Sequence, residues 1–296
     1  MCIEEYIISV YCIPDDLVKK NPEKLRKRGR RTRLTDAEVI TMEVVGEFLG
    51  LHCDNRIHQY FRTYWAEWFP GMGSRTAFAR QAANLWGLKQ WLCWTIAGLH
   101  FPDGVGLSVV DGLPMPLCNL RRAPRCRLFR GEAAYGYCAA RDMRYYGFKG
   151  HVLTSDDGFI LAFGVAAANV DERAMLLEMS ASATPYVLGD KGYLCSDTME
   201  EELLAEGVKV IAPVRENMAD PLSPELRGRL NARRRIVETV NAQLAGRLEM
   251  ERIWARDRWH LTARVARKVL AHNLNCYLNK LNGRRPLLFS KLITVA

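Results

Sequence analysis

Short apolar segments separated by turn signals and helical segments fill the middle of this chain, and their order limits the fold more than any other feature. Apolar, β-branched runs predict strands over 106–110, 145–154, 159–167, 186–188 and 209–213. Ser155 to Gly158 is a turn between the second and third of these strands, which makes them a hairpin. Helical patterns at 171–181 and 198–206 separate the later strands. A hairpin followed by alternating helices and strands predicts a mixed α/β sheet.

Helical and basic segments lie on both sides of the predicted sheet. Residues 19–33 contain nine Lys or Arg, and Thr35 with Glu38 then forms a capping box that opens the first of three short helices. A basic arm followed by three helices predicts a DNA-binding region of helix-turn-helix type, although a solvated linker and a plain helical domain fit the same pattern. We therefore expect a helical DNA-binding region at 1–100, a catalytic α/β domain at 101–257 and a helical region at 258–296.

The overall charge also favours a polyanionic partner. The chain of 296 residues has a net charge of +9 and a pI near 9.1, which raises the local concentration of phosphates, although ribosomal and membrane-surface proteins share this balance. Nine scattered cysteines without zinc-ligand spacing indicate reduced thiols. The apolar N-terminal run follows Glu4 and Glu5, which a signal peptide would not have. We expect a cytoplasmic, nucleoid-associated protein without a membrane partner.

Two aspartates follow predicted strands. Asp111 comes directly after 106–110, and Asp190 follows 186–188. Each also fits a turn, since Asp-Gly and Asp-Lys-Gly are common turn sequences. Pro114 and Pro116 argue against a tight turn that would send the chain back after Asp111. We therefore expect both aspartates at strand ends, where α/β sheets bind their ligands.

Glu238 lies in a long basic helical segment. Ile236, Val237 and Val240 belong to its apolar face, and Glu238 lies just outside that face. It could therefore lean over the strand ends. The alternative is an exposed glutamate that forms an i, i+4 ion pair with Arg234.

Together the three acids supply what metal-dependent phosphate chemistry needs. Mg²⁺ prefers oxygen ligands, and two such ions can activate an attacking oxygen and stabilise a leaving one. Other acids have simpler explanations: Asp156 and Asp157 fit the hairpin turn, while Asp171 and Glu172 fit a helix start.

The motifs that contain these acids resemble a known family. VVDGLPMPLC, YYGFKGH, VLGDKGY and RRRIVETVNAQL follow one another as in the DDE-type transposases of bacterial insertion sequences, most closely the nine-eighty-two insertion-sequence family. This resemblance implies a ribonuclease-H-like catalytic domain, with Asp111, Asp190 and Glu238 as the catalytic, metal-binding triad. It also implies two Mg²⁺ ions, which Mn²⁺ can replace, a homo-oligomer on DNA, and cleavage at terminal inverted repeats followed by strand transfer into target DNA.

The surroundings of Glu238 depart from the pattern of related transposases. Arg234 fits the arginine expected four residues earlier, but Asn231 and Ala245 stand where Tyr and Lys are expected, with Arg247 a candidate substitute. A nuclease of the same fold that cuts without joining, or an inactive transposase acting as a repressor, are the alternatives. The residues predicted to contact DNA are Lys27, Arg28, Arg30, Arg31, Arg75, Arg80, Arg121, Arg122, Lys149, Lys191, Arg234 and Arg247.

Overall fold

The structure, a computed structural model, describes residues 1–20, 32–214 and 222–293. The chain divides into two compact units, one formed by Met1–Ile96 with Gly246–Ala296 and the other by Ala97–Ala245. No helix within the described ranges is long and apolar enough to cross a membrane. The division into three domains at residues 100 and 257 stays a prediction.

The described helices and strands follow one another in a helical, then mixed, then helical order. The α-helices are α1 (Ile3–Lys20), α2 (Asp36–Phe48), α3 (Asp54–Tyr64), α4 (Arg75–Asn84), α5 (Trp86–His100), α6 (Glu172–Glu178), α7 (Asp197–Ala205), α8 (Pro224–Ala242) and α9 (Arg258–Leu281). The strands are β1 (Leu107–Asn119), β2 (Ala134–Cys138), β3 (Met143–Ser155), β4 (Ile160–Ala167), β5 (Tyr186–Leu188) and β6 (Lys209–Ile211).

The first unit is helical, and α2 lies at its centre. Its predicted capping box is confirmed: the Thr35 hydroxyl accepts the Glu38 amide at 3.1 Å, and the Glu38 carboxylate accepts the Thr35 amide at 2.6 Å. Nearly all of α2 is buried, including Val39 and Phe48. Two details differ from the prediction of three short helices after the basic arm: α1 precedes them, and a further helix, α5, follows α4. Binding of DNA by this region stays a prediction.

A buried ionic cluster joins α2 to α9. Glu47 forms an ion pair with Arg267 at 2.6 Å and accepts a hydrogen bond from Lys268 Nζ at 2.8 Å, and all three side chains are at most 1% exposed. Lys89 of α5 pairs with Glu43 at 2.7 Å. Buried charges are tolerated only when paired, so each of these groups depends on its partners for its place in the core.

The second unit contains a six-stranded mixed sheet in the order β2-β3-β1-β5-β6, with β4 also paired to β3. The β1, β2, β3 and β4 pairings are antiparallel, whereas β1–β5 and β5–β6 are parallel. The hairpin of β3 and β4 and the later strands agree with the sequence-based prediction, while β2 was not predicted. This mixed α/β arrangement is consistent with a ribonuclease-H-like domain.

Adjacent residues of β1 face opposite sides of the sheet, as strand geometry requires. Val109 packs with Leu188 and with Val237 of α8, whereas Val110 packs with Leu176 of α6 and with other residues on the opposite face. Residues that share the orientation of Val109 therefore point to the side covered by α8.

The expected end of β1 at Val110 is wrong. The strand continues to Asn119, so Asp111 lies within it, where it pairs with Val152 of β3. Pro114 and Pro116 are tolerated because β1 pairs with β5 only through Leu107 to Val109. Beyond that point β1 has a neighbour on one side, and an edge position accommodates a residue without an N–H donor.

Candidate active site

The parallel pairing of β1 with β5 places Asp111 and Asp190 beside each other. Val109 pairs with Leu188, and each aspartate lies two residues further along its own chain. Asp111 has the orientation of Val109, towards the side covered by α8. The backbone therefore brings together two acids that are 79 positions apart.

Both aspartates also accept a hydrogen bond from a nearby backbone amide. The Asp111 carboxylate accepts the Gly112 amide at 2.8 Å, and the Asp190 carboxylate accepts the Gly192 amide at 2.8 Å. The second contact caps a short 3₁₀ turn, Lys191–Tyr193. The turn interpretation therefore fits Asp190, whereas Asp111 lies within β1, and the role of both residues as site residues stays a prediction.

The electrostatic environment of Asp111 is unfavourable to its negative charge. Burial, followed by the negative charges of Asp190 and Glu172, raises the pKa of Asp111 to about 6, although the Gly112 amide and Arg234 act in the opposite direction. Asn241 of α8 also holds this carboxylate by donating Nδ2–H to Oδ2 at 2.9 Å. A desolvated carboxylate among other acids is strongly stabilised by a cation.

The side chain of Glu238 is not grouped with those of the two aspartates. Its carboxylate lies 3.8 Å from Arg234 Nη2 and its side chain is 59% exposed, which is the i, i+4 ion pair considered above. Asn241 lies three residues further on the same helix, where side chains are neighbours, and contacts Asp111 directly. Glu238 is thus one helical turn from a residue that contacts Asp111.

Glu172 lies at this site, although its sequence position indicated only a helix start. A Cβ on Gly192 would lie 2.4 Å from Glu172 Oε2 and 3.0 Å from Asp190 Oδ1, so the two carboxylates lie close together. Lys149 of β3 pairs with Glu172 at 3.0 Å. Nothing in the sequence separates Glu172 from an ordinary acid of a first helical turn, and Asp171 is the residue that caps α6.

Tyr193 provides a further polar atom at the site. Its side chain is fully buried, and its hydroxyl has no hydrogen-bond partner within the described residues. Burial raises its pKa, and the charges of Glu172, Asp111 and Asp190 add to this effect. The hydroxyl is therefore exposed to the charges of all three carboxylates.

His151 is a packing residue. It is fully buried, and burial together with the charge of Lys149 lowers its pKa to about 4. The ring is consequently neutral at physiological pH.

The donor set fits a divalent metal ion. The available ligands are carboxylate oxygens, which Mg²⁺ prefers, and the crowding around Asp111 and the partnerless Tyr193 hydroxyl fit a hydrated cation. Across the described residues, however, no three His, Cys, Asp or Glu side chains are grouped closely enough to hold a metal ion. That Asp111, Asp190 and Glu238 together hold such an ion stays a prediction.

The basic residues predicted to contact DNA differ in their surroundings, and their role stays a prediction. Lys149 pairs with Glu172, Arg234 pairs with Glu238, and the Arg247 guanidinium lies 4.3 Å from the centre of the Phe48 ring. The exposed members are Arg75, Arg80, Arg121, Arg122 and Lys191. Lys27, Arg28, Arg30 and Arg31 lie outside the described residues.

Comparison with protein families identifies the family of the chain. A family model described as a transposase DDE domain matches residues 102–258, which is more than half of the chain and includes Asp111, Asp190 and Glu238. The chain belongs to this family. A DDE transposase domain implies action on DNA and dependence on a divalent metal. No curated protein and no solved structure matches the chain.

Proposed function

We propose that this chain is a transposase of the nine-eighty-two insertion-sequence type. It cleaves the ends of its element and joins the 3′-hydroxyl to target DNA. The observation that carries the proposal is the adjacent pair Asp111 and Asp190, with the pKa of Asp111 raised, in a chain of the DDE family. Phosphodiester hydrolysis and transesterification both need metal-held oxygens of this kind.

Asp111, Asp190 and Glu238 form the proposed metal-binding triad. Two bound Mg²⁺ ions, or Mn²⁺ in their place, would activate the attacking oxygen and stabilise the leaving one. Asn241 donates a hydrogen bond of 2.9 Å to the Asp111 carboxylate and so keeps it oriented. The exposed Arg234–Glu238 pair contributes only about 0–1 kcal/mol, so Glu238 is free to exchange this partner for a more favourable one.

The proposed partners are terminal inverted repeats, target DNA and further copies of this chain. The net charge of +9 favours the first two. The exposed arginines predicted from the sequence would contact the phosphate backbone, where the planar guanidinium suits phosphate oxygens. We place the protein in the bacterial cytoplasm, at the nucleoid.

A strand-transfer assay tests this proposal. Inverted repeats that flank the gene give the substrate, and a labelled, pre-cleaved repeat end is incubated with target plasmid in Mg²⁺, in Mn²⁺ or in EDTA. We expect joined product with either metal and none in EDTA. Asp111→Asn should abolish it, while Asp103→Asn, which changes an exposed aspartate of the same unit, should not.

Three outcomes would contradict parts of the proposal. Metal-dependent hydrolysis without joined product would identify a nuclease. Repeat binding without any cleavage by the unaltered chain would identify an inactive repressor. Full activity in Asp111→Asn would show that the assigned site is wrong.

A further inference from the structure

A cleft of about 550 Å³ lies on the segment that connects β1 to β3, and none of the acids discussed above lines it. Its lining includes Leu120, Tyr135, Tyr137, Arg144 and Asn169. The two tyrosines belong to β2, which among the described strands pairs with β3 alone. Their side chains are 54% and 52% exposed, which is unusual for two aromatic residues so close in sequence.

Strand geometry makes the two tyrosines a pair. Tyr135 and Tyr137 are two residues apart, so their side chains project from the same face of β2 and their Cα atoms are about 6.8 Å apart. This is about twice the 3.4 Å spacing of bases along a DNA strand. Two rings with this separation can stack on a base placed between them or on consecutive bases.

Each ring is supported by a residue on the neighbouring strand. Tyr146, opposite Tyr135, has its ring centre 5.5 Å from that of Tyr135. Arg144, opposite Tyr137, lies 5.8 Å from the centre of that ring, and the Tyr137 hydroxyl donates to Asp142 at 2.9 Å. Held in this way, the rings lose little conformational freedom when a ligand binds.

Close packing at Gly136 holds strand β2 in place. A Cβ on Gly136, between the two tyrosines, would lie 2.6 Å from the Ala168 Cβ. Only a glycine allows β2 to approach this closely, and the close packing makes the tyrosine face a rigid surface.

The same segment is strongly basic. Five exposed arginines precede β2, and within the described part of the chain none of them forms an ion pair. They are Arg121, Arg122, Arg125, Arg127 and Arg130. Exposed arginines in the segment that leads to two exposed tyrosines offer phosphate binding and base stacking, the two elements of single-strand recognition.

We propose that this cleft, the tyrosine cleft, binds unpaired nucleotides of single-stranded DNA. Tyr135 and Tyr137 stack on bases, Arg144 supports the second ring, and the arginines before β2 contact the adjacent phosphates. The choice of DNA as the polyanion rests on the proposed function, which has DNA as its substrate. Stacking tolerates any base, so binding in the cleft should be independent of sequence.

Equilibrium binding to single strands tests the cleft. The full chain is titrated in EDTA against a fluorescently labelled 20-mer of thymidine and against a duplex of equal length. We expect Tyr135→Ala and Tyr137→Ala each to weaken single-strand binding at least about fivefold, with duplex binding changed less. Tyr135→Phe should retain affinity because the ring is kept. Tyr186→Ala, which removes a tyrosine of the same unit that is 51% exposed, should bind like the unaltered chain.

Photocrosslinking gives a readout that does not depend on a variant's folding. A 20-mer carrying 5-iododeoxyuridine is irradiated with the unaltered chain, and mass spectrometry locates the attachment, which we expect at Tyr135 or Tyr137. Equal affinity of the alanine variants and Tyr186→Ala, or attachment only at other residues, would overturn the proposal. Neither measurement needs metal or cleavage. Tyrosine-dependent binding by a chain without transfer activity would therefore contradict the proposed function alone.

Discussion

The buried ionic cluster should make the helical unit sensitive to acid. Burial alone would raise the pKa of Glu47, but Arg267, Lys268 and a hydrogen bond from His52 bring it to about 2 from an ordinary value of 4.5. At about 1.4 kcal/mol for each pKa unit, the charged carboxylate contributes about 3 kcal/mol of stability at neutral pH. Because the folded pKa is the lower one, this stability is complete above pH 4.5 and is lost as the pH falls towards 2.

Glu47→Gln should therefore destabilise the helical unit by about 3 kcal/mol at pH 7, and by about 2 kcal/mol less than that at pH 3. Tryptophan fluorescence during urea unfolding is the appropriate measurement, since all seven tryptophans lie in this unit. Glu67→Gln, at an exposed position of the same unit, is the control and should change stability by less than about 0.5 kcal/mol at either pH. A Glu47→Gln effect of equal size at pH 7 and pH 3 would refute the argument.

Three further substitutions test individual contacts. Asn241→Ala removes the donor to Asp111 and should slow strand cleavage by about tenfold or more without weakening DNA binding, as measured by initial rates and by titration; an unchanged rate would show that the hydrogen bond is not needed. Gly147→Ala would place a Cβ 2.5 Å from the Met115 carbonyl oxygen, and the unfolding free energy should fall by about 1–3 kcal/mol. Gly98→Ala meets no atom within 4 Å in helix α5 and should stabilise by about 0.5–1 kcal/mol; a lower thermal midpoint would contradict this expectation.

The features predicted correctly from the sequence are local ones. The capping box of Thr35 and Glu38 is formed by residues three apart, and the turn before Gly158 is formed by four consecutive residues. Such contacts depend on nearby residues alone, so their patterns are visible without knowledge of the rest of the fold.

The length of β1 could not be predicted in this way. Prolines normally argue against a strand, and here they are tolerated because β5 pairs with only three residues of β1. The prolines are thus tolerated because of how β1 pairs with β5, a strand far away in the sequence. The same holds for Glu172, whose place beside Asp190 depends on where α6 begins relative to the end of β5.

The sequence by itself determined the chemistry available to this protein: acids after apolar segments, a basic surface charge and the motifs of the DDE family. Only the tertiary structure decided which acids meet. Parallel strand pairing brought Asp111 beside Asp190, and close packing placed Glu172 and Tyr193 at the same site. On helix α8, Glu238 pairs with Arg234, whereas Asn241 donates a hydrogen bond to Asp111. Strand pairing joins distant residues through the backbone, and local sequence patterns contain no information about the register of that pairing.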